Sequence, residues 1–473
     1  MPSDAAPDRS CAHESLAAFD VGLLSPVSVG HDAAVTDEVV LDALVAVEVA
    51  LVRAYGAVGT APTEVVDAVA SALGWQGNGR GCRGHGIDAV ALAAASVAGG
   101  NPVIPLVAEL KARVPVSARA WVHRGATSQD ILDSALMLVA YRACRGILVS
   151  LRHVEVALAA FARTHADQVA AARTLTQHAV PTTMGLRAAG WLRGVRRATD
   201  RLEAAVTELP AQLGGAGGTL AAIVENAGTD AAARLSAPFA AALGLAVPDA
   251  PWHTSRWPVT ELGDTLVQAI DAIGKIATDI ATLSRTEIGE LAEGSAGGSS
   301  AMPQKRNPSG SVLMRSAALR APQLGATLHL AAALAADERP DGSWHAEWPT
   351  LRELLRLALG ATATASRVVG GLSVDRAAVA RNLTLTGALI VSERLSLALV
   401  PLIGRERFDA LVADASGGAD LADLVRALPE AADLDVDALV DPAQYLGLAD
   451  AYLDGALRER DGATPDTTPE VLS

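Results

Sequence analysis

A loop of twelve residues, Gly297–Pro308, holds the densest set of side chains suited to chemistry. It lies between two long segments with helical apolar periodicity, so it is expected to join two helices. Two glycines at its start, Gly297 and Gly298, predict positive backbone φ angles and a close approach of the backbone to a ligand. A hydroxyl, a positive charge and an amide follow, from Ser299, Lys305 and Asn307. This combination predicts a site for an anionic ligand.

A second set of polar residues stands at the start of a long helical pattern. Thr127 and Ser128 are both able to cap this helix, and Asp130 falls in its first turn. Free N–H groups and hydroxyls at a helix N-terminus can bind an anion. The alternative interpretation is an ordinary helix cap without a ligand.

A third set spans Arg173–Pro181 and contains a histidine, His178. An imidazole titrates near neutral pH and can serve as a general acid, although many histidines are only hydrogen-bonded structural residues. A glycine-rich turn follows at Pro210–Thr219. It lacks the strand-then-helix setting of a phosphate-binding loop, so no nucleotide cofactor is expected.

The elements that must hold these groups are predicted to be helices. The periodicity favours helices from Asp37, capped by Thr36, to about Val58, and over 260–294, Ser309–Ala336 and much of the chain after 350. Three glutamates near the end of the 260–294 pattern have no histidine or cysteine beside them. A solvated helix face or a subunit contact is therefore favoured over a metal site for Glu287, Glu290 and Glu293.

The composition narrows the functional classes. Half of the 473 residues are hydrophobic but only 3% are aromatic, which favours closely packed helices over a sheet protein. A net charge of −15 without a long basic run argues against a nucleic-acid surface. Three cysteines without metal-ligand spacing are typical of a reduced cytosolic protein. No signal peptide, membrane span or metal is expected, and the predicted location is cytoplasmic.

The loop sequence Gly-Ser-Ser-x-Met-Pro-x-Lys-x-Asn-Pro, between Gly298 and Pro308, resembles the signature loop of the fumarase/aspartase superfamily. The superfamily includes fumarase, argininosuccinate lyase, adenylosuccinate lyase and carboxymuconate cycloisomerase. The resemblance implies that Ser299 is the catalytic base. It also implies that Lys305 and Asn307 contact a carboxylate of the substrate.

Other segments resemble the same superfamily in the same order. Thr-Ser-Gln-Asp at 127–130 matches its first signature, which implies that Thr127 and Ser128 bind a substrate carboxylate with Arg124 close by. The segment 173–181 matches a second region, although Leu175 stands where fumarases carry a histidine. His178 is then the candidate general acid or the group that binds the leaving group. The resemblance adds further substrate contacts at Thr174, Gln177, Gln212 and Arg339, with Thr219 a weaker candidate.

The fold implied by the resemblance is all-α, with three helical domains. These are an N-terminal domain at 21–126, a central long-helix bundle at 127–370 and a C-terminal domain at 371–460, with flexible tails at 1–20 and 461–473. A homotetramer is implied, with each active site built from signature regions of three subunits. No cofactor is implied.

The activity implied is elimination or addition at a carbon next to a carboxylate, through a serine base and an aci-carboxylate intermediate, on a small dicarboxylate or tricarboxylate. The Gln-His-Ala-x-Pro and Glu-Arg-Pro-x-Gly-x-Trp-His-x-Glu-Trp segments favour a 3-carboxy-cis,cis-muconate cycloisomerase. Gln304 departs from the histidine usual in those enzymes. The alternatives are a C–N lyase that releases fumarate, acting on nitrosuccinate or, less in keeping with the motifs, adenylosuccinate, and an inactive crystallin-like protein.

Overall fold

A computed structural model describes residues 20–294, 297–298, 302 and 304–458. Helices make up most of these residues. The α-helices are α1 (Asp37–Ala57), α2 (Thr63–Ala72), α3 (Ala89–Ser96), α4 (Val103–Arg113), α5 (Ser128–Thr164), α6 (Met184–Thr207), α7 (Ala221–Ala227), α8 (Thr229–Ala233), α9 (Ser236–Leu243), α10 (Trp257–Leu283), α11 (Ser309–Ala333), α12 (Gly342–Gly370), α13 (Arg376–Leu383), α14 (Ser392–Ile403), α15 (Arg405–Ser416), α16 (Leu421–Arg426), α17 (Val436–Val440) and α18 (Ala449–Leu457). Short 3₁₀ helices cover Ala33–Val35, Val116–Trp121, Gly387–Val391, Pro429–Ala431 and Pro442–Gln444.

The strands form two small antiparallel pairs. They are β1 (Val169–Thr174) with β2 (Gln177–Thr183), and β3 (Leu291–Ala292) with β4 (Ser373–Val374). The all-α class predicted from the sequence is confirmed, because these short ladders are minor additions to a helical fold. The β1–β2 hairpin was not foreseen.

Local sequence signals account for several helix ends. Thr36 caps α1 as predicted, since its hydroxyl accepts the Val39 N–H at 3.4 Å. Helix α10 ends at Leu283 and not near 294. Gly289 adopts a left-handed φ of +64°, and the Glu290 N–H bonds back to the Leu283 carbonyl at 2.8 Å. The bond gives the Leu283 carbonyl a partner that it lacks within the helix.

The chain divides into two compact units. Among the described residues, the first comprises 20–147, 202–267 and 320–361; the second comprises those of 148–201, 268–319 and 362–458. In the first unit, glycine lets helices approach closely, since a Cβ on Gly263 of α10 would lie 2.6 Å from the Leu328 side chain of α11. The predicted division into three domains stays a prediction.

The second unit uses the same close packing. A Cβ on Gly274 of α10 would lie 2.6 Å from the Ala318 side chain of α11. Its C-terminal part encloses a separate apolar cluster that includes Leu395, Leu399, Phe408 and Val425. The abundance of alanine and glycine in the sequence thus corresponds to helices in direct contact through small side chains.

Helix α5 is the one candidate, among the described single helices, that is long and apolar enough to span a membrane. Within its apolar window, 61% of the residues are buried inside the structure. Burial of this kind is typical of the core helix of a soluble protein.

Candidate active site

The first unit brings the start of α5 together with two loops. Thr127 immediately precedes α5, and only 9% of it is exposed. Its hydroxyl accepts a hydrogen bond from Arg339 Nη2 at 2.5 Å, and the same guanidinium nitrogen donates to the Ala216 carbonyl at 3.2 Å. Two residues predicted as substrate contacts, Thr127 and Arg339, are therefore in direct contact, although 212 positions separate them.

Asp130 holds this arrangement together. Its carboxylate is completely buried and accepts backbone N–H bonds from Thr127 at 2.9 Å, Gly214 at 2.8 Å and Gly215 at 2.9 Å. The Nε2 atom of His253 lies 2.9 Å from the same carboxylate. Asp130 thus ties the first turn of α5 to the glycine-rich turn, a role beyond the helix-end position that the sequence indicated.

Gln212, predicted as a substrate contact, lies in the glycine-rich turn and is completely buried. Its side-chain oxygen accepts the Trp252 N–H at 3.0 Å, and its backbone exchanges hydrogen bonds with the Ser134 hydroxyl. Its buried Nε2 atom has no hydrogen-bond partner among the described residues. These contacts connect Gln212 with the protein interior, and its contact with substrate stays a prediction.

His123 and Arg124 form the turn before Thr127. His123 has a positive φ of 59°, and its Nδ1 atom lies 2.6 Å from Oε1 of the buried Glu48. Burial lowers the pKa of this imidazole, but the hydrogen bond and the charge of Glu48 outweigh burial and raise the pKa overall. Arg124 stacks on Trp121 at 4.6 Å and donates to Asn226 Oδ1 at 3.1 Å.

A buried ion cluster lies behind the same loops. Arg256, with 1% of its side chain exposed, donates to both oxygens of Asp133 at 2.8 and 3.0 Å and to Glu347 at 2.6 Å. The indole N–H of Trp344 donates to Asp133 at 2.9 Å. The cluster joins α5, the residue before α10 and the first part of α12. Nothing in the local sequence pattern identifies it.

The signature loop belongs to the second unit. The backbones of Gly297 and Asn307 exchange two hydrogen bonds, of 3.0 and 2.9 Å, which close the base of the loop. Glu293 accepts the Gly310 and Ser311 N–H groups and the Ser311 hydroxyl, so that it caps α11. Ser299, the predicted base, lies outside the described residues.

The prediction of positive φ angles at Gly297 and Gly298 was wrong. Neither Gly297 nor Gly298 has a positive φ. Gly297 is instead required by a close approach, since a Cβ there would lie 2.0 Å from the Ser309 hydroxyl oxygen. Lys305 is exposed and Asn307 is half-buried in the single chain.

The hairpin carries the other predicted residues of the second unit. Thr174 and Gln177 are exposed at its tip, and His178 is half-buried opposite Arg173. The two turn residues, Leu175 and Thr176, have φ values of 49° and 74°. Two consecutive positive φ angles are typical of a type I′ hairpin turn, which usually contains glycine or asparagine. The residues of this turn therefore gave no signal from which a hairpin could be predicted.

The expectation that the three glutamates lie on a solvated helix face or in a subunit contact was wrong for two of them, because these two are buried within the chain. Glu290 is completely buried and accepts two hydrogen bonds from Arg173, at 2.6 and 3.1 Å, and one from Asn382 at 2.8 Å. Glu293 is 7% exposed and caps α11. Both lie beyond the end of α10, where helical spacing no longer applies. Glu287 is exposed as expected.

The candidate residues thus fall into two groups. The first unit holds Arg124, Thr127, Ser128, Gln212 and Arg339; the second holds Thr174, Gln177, His178, Lys305 and Asn307. Among the residues that the structure describes, no cluster of three or more histidine, cysteine, aspartate or glutamate side chains is suited to hold a metal ion. The first group places a hydroxyl and a guanidinium together at Thr127 and Arg339, and groups of these types can bind an anion.

Comparisons with known proteins bear on what these groups do. The lyase family matches residues 36–322. Nitrosuccinate lyase of Streptomyces davaonensis is 46% identical over 96% of this chain and 98% of that protein. The 3-carboxy-cis,cis-muconate cycloisomerase of Pseudomonas aeruginosa is 40% identical over 87% of this chain and 90% of that protein.

A solved structure agrees with these sequence matches. The crystal structure of 3-carboxy-cis,cis-muconate lactonizing enzyme from Pseudomonas putida superposes with a TM-score of 0.79 and 35% identity, covering 88% of this chain and 93% of that chain. The fold, the motifs and the relatives agree along most of the chain. The chain belongs to the lyase family of the fumarase/aspartase superfamily and is an enzyme of that superfamily.

Proposed function

We propose that this enzyme eliminates nitrite from nitrosuccinate and leaves fumarate. The observation that carries the proposal is the 46% identity to nitrosuccinate lyase over 96% of the chain, against 40% over 87% for the cycloisomerase. Gln304 supports it, because the cycloisomerases usually carry histidine at this position of the signature loop. The sequence motifs alone favoured the cycloisomerase substrate over nitrosuccinate, and the proposal reverses this order.

The roles proposed for the residues follow the charge that develops during elimination. Ser299 removes the proton next to a carboxylate, and Lys305 and Asn307 stabilise the resulting aci-carboxylate. Donors placed where charge develops are usually the largest catalytic contribution. Thr127, Ser128 and Arg339 bind the other carboxylate. The Thr127–Arg339 contact supports this role, because a hydroxyl and a guanidinium already face one another there.

The substrate is tested with purified protein and a panel of nitrosuccinate, 3-carboxymuconate, adenylosuccinate, argininosuccinate and aspartate. We expect fumarate and nitrite in equal amounts from nitrosuccinate, and turnover at least 100-fold slower for the others, because specificity sites discriminate strongly through unpaired polar groups. Fumarate is followed by absorbance and nitrite by a colorimetric assay. Turnover of another panel member at a higher kcat/KM would refute the proposal.

The cycloisomerase activity is the second candidate, and a specific observation favours it. The TM-score of 0.79 relates this chain to the muconate enzyme of Pseudomonas putida, and the segment Gln177–Pro181 has the form found in that branch. Loss of muconate absorbance without release of fumarate is the outcome that would establish this activity.

We propose a homotetramer with shared active sites. The proposal is supported by exposed apolar side chains on the long helices, which a single chain leaves in water. They include Val156 (71% exposed) on α5 and Leu319 (79%) and Leu330 (63%) on α11. Light scattering on the eluting protein is expected to give about 193 kDa, four times 48.3 kDa. A monomer or dimer that retains full activity would contradict this assembly.

A further inference from the structure

His178 is one of the histidines in the described part of the chain for which no ion pair with a carboxylate is found. Four histidines have a carboxylate oxygen within 2.9 Å of a ring nitrogen: His85, His123, His253 and His329. The Nδ1 atom of His178 is buried and has no hydrogen-bond partner among the described residues. A protonated imidazole at this position therefore lacks the usual stabilising group.

The charges next to His178 also disfavour a second positive charge. Arg173 lies opposite His178 in the hairpin. Arg173 and Arg187 both pair with the carboxylate of Glu290, at 2.6 and 3.8 Å. Arg187 lies on α6. The two arginines and the glutamate together carry a net charge of +1. Burial and the charge of Arg173 lower the pKa of His178, and Glu290 offsets only part of this effect. These effects favour the neutral form of the imidazole.

His178, Arg173 and Arg187 line a pocket of about 990 Å³ within the second unit. Its walls come from the hairpin, α6, α10 and the segment after α10, and from the chain near Leu385. Four positive side chains line it: Arg173, Arg187, Lys275 and Arg285. The acidic ones are Asp279 and Glu287. Asp279 already binds Lys275 and the Trp191 indole, at 2.6 and 2.7 Å. The balance of charge favours an anionic ligand in a protein with a net charge of −15.

We propose that His178 donates a hydrogen bond to a leaving group that departs as an anion, and transfers no proton to it. This inference rests on the proposed elimination, and it identifies His178 as the residue that binds the leaving group. The base takes the proton from carbon, the C–H electron pair forms the double bond, and the C–N bonding pair leaves with the nitro group as nitrite. The proton passes from the base to water.

The first test compares His178→Gln with His178→Leu, using nitrosuccinate between pH 6 and pH 9. Glutamine keeps an N–H donor but cannot serve as an acid, so kcat is expected to stay within 10-fold of the native value. Leucine removes the donor, and kcat is expected to fall by about 10–100-fold. Native kcat is expected not to decrease between pH 7 and pH 9.

A general acid would behave differently. It predicts a loss of about 10²–10⁴-fold in His178→Gln and a native kcat that falls above the histidine pKa. Either result would overturn the proposal. His165→Gln is the matched control, because His165 also has a buried Nδ1 without a partner but does not line the pocket. Its activity is expected to equal that of the native enzyme.

A second measurement does not depend on turnover. In the intact protein labelled with ¹³C at histidine, the His178 signal is identified by its absence in His178→Gln and titrated with pH. A midpoint below about 6.5, the ordinary value for histidine, is expected, and a midpoint above 7 would refute the proposal. If nitrosuccinate is not a substrate, the proposed function fails while this titration still tests the neutral imidazole. If nitrosuccinate turns over and His178 is protonated at pH 7, only the inference fails.

Discussion

Replacing Ser299 with alanine is expected to lower kcat by about 10²–10⁴-fold, the range typical for loss of a general base. The reason is that the proposed mechanism assigns to the Ser299 hydroxyl the removal of the proton from the carbon next to the carboxylate. A free serine is too weakly acidic to act alone near neutral pH, so its function depends on nearby donors and on the charge of Lys305. The affinity for fumarate is expected to change little, because the carboxylate contacts remain.

The measurement is kcat on nitrosuccinate, together with fumarate binding by calorimetry. Ser300→Ala is the matched control, since it makes the same substitution one position along the loop. The unfolding midpoint should be the same in both variants, because the Gly297–Asn307 bridge and the Glu293 cap remain intact. If Ser299→Ala stays active while Ser300→Ala does not, the base has been assigned to the wrong hydroxyl.

The second large effect is expected on stability. Arg256→Met should destabilise the fold by about 3–5 kcal/mol, because it leaves Asp133 and Glu347 buried without a positive partner. Both carboxylates are almost completely buried, with side chains 1% and 2% exposed. Hydration cannot replace the lost ion pairs. The change is measured as a lower midpoint of thermal and urea unfolding.

Arg407→Met provides the comparison for this prediction. Arg407 also pairs with a glutamate, Glu430, but both side chains are largely exposed, so its loss should change the midpoint little. Arg256→Lys keeps the charge but not the planar fork that binds both carboxylates, and an intermediate midpoint is expected. Equal midpoints for Arg256→Met and Arg407→Met would show that the buried cluster does not stabilise the fold.

The helices and their starts were largely predictable because their signals are local. Thr36 caps α1, α5 begins at Ser128 and α11 begins at Ser309, as expected from caps and apolar periodicity. The family resemblance named the residues of the candidate site. The contact between Thr127 and Arg339 could be identified only from the structure, because these residues are 212 positions apart in the sequence.

The residues that support the site were not predictable. Asp130 meets His253, and Arg256 meets Asp133, across 123 positions each, and no periodic pattern records such pairs. Glu290 was misplaced because helical spacing was extended past Leu283, where α10 ends. The hairpin turn at Leu175 and Thr176 lacks the glycine or asparagine by which such turns are recognised.

The closed base of the signature loop has a consequence for protein engineering. The Gly297–Asn307 bridge joins the two ends of the loop, and Glu293 attaches the preceding segment to the first turn of α11. The two ends of the loop are therefore held in a fixed frame. In design terms this stretch is a cassette: its sequence can be exchanged for that of another superfamily member while the scaffold that presents it is kept.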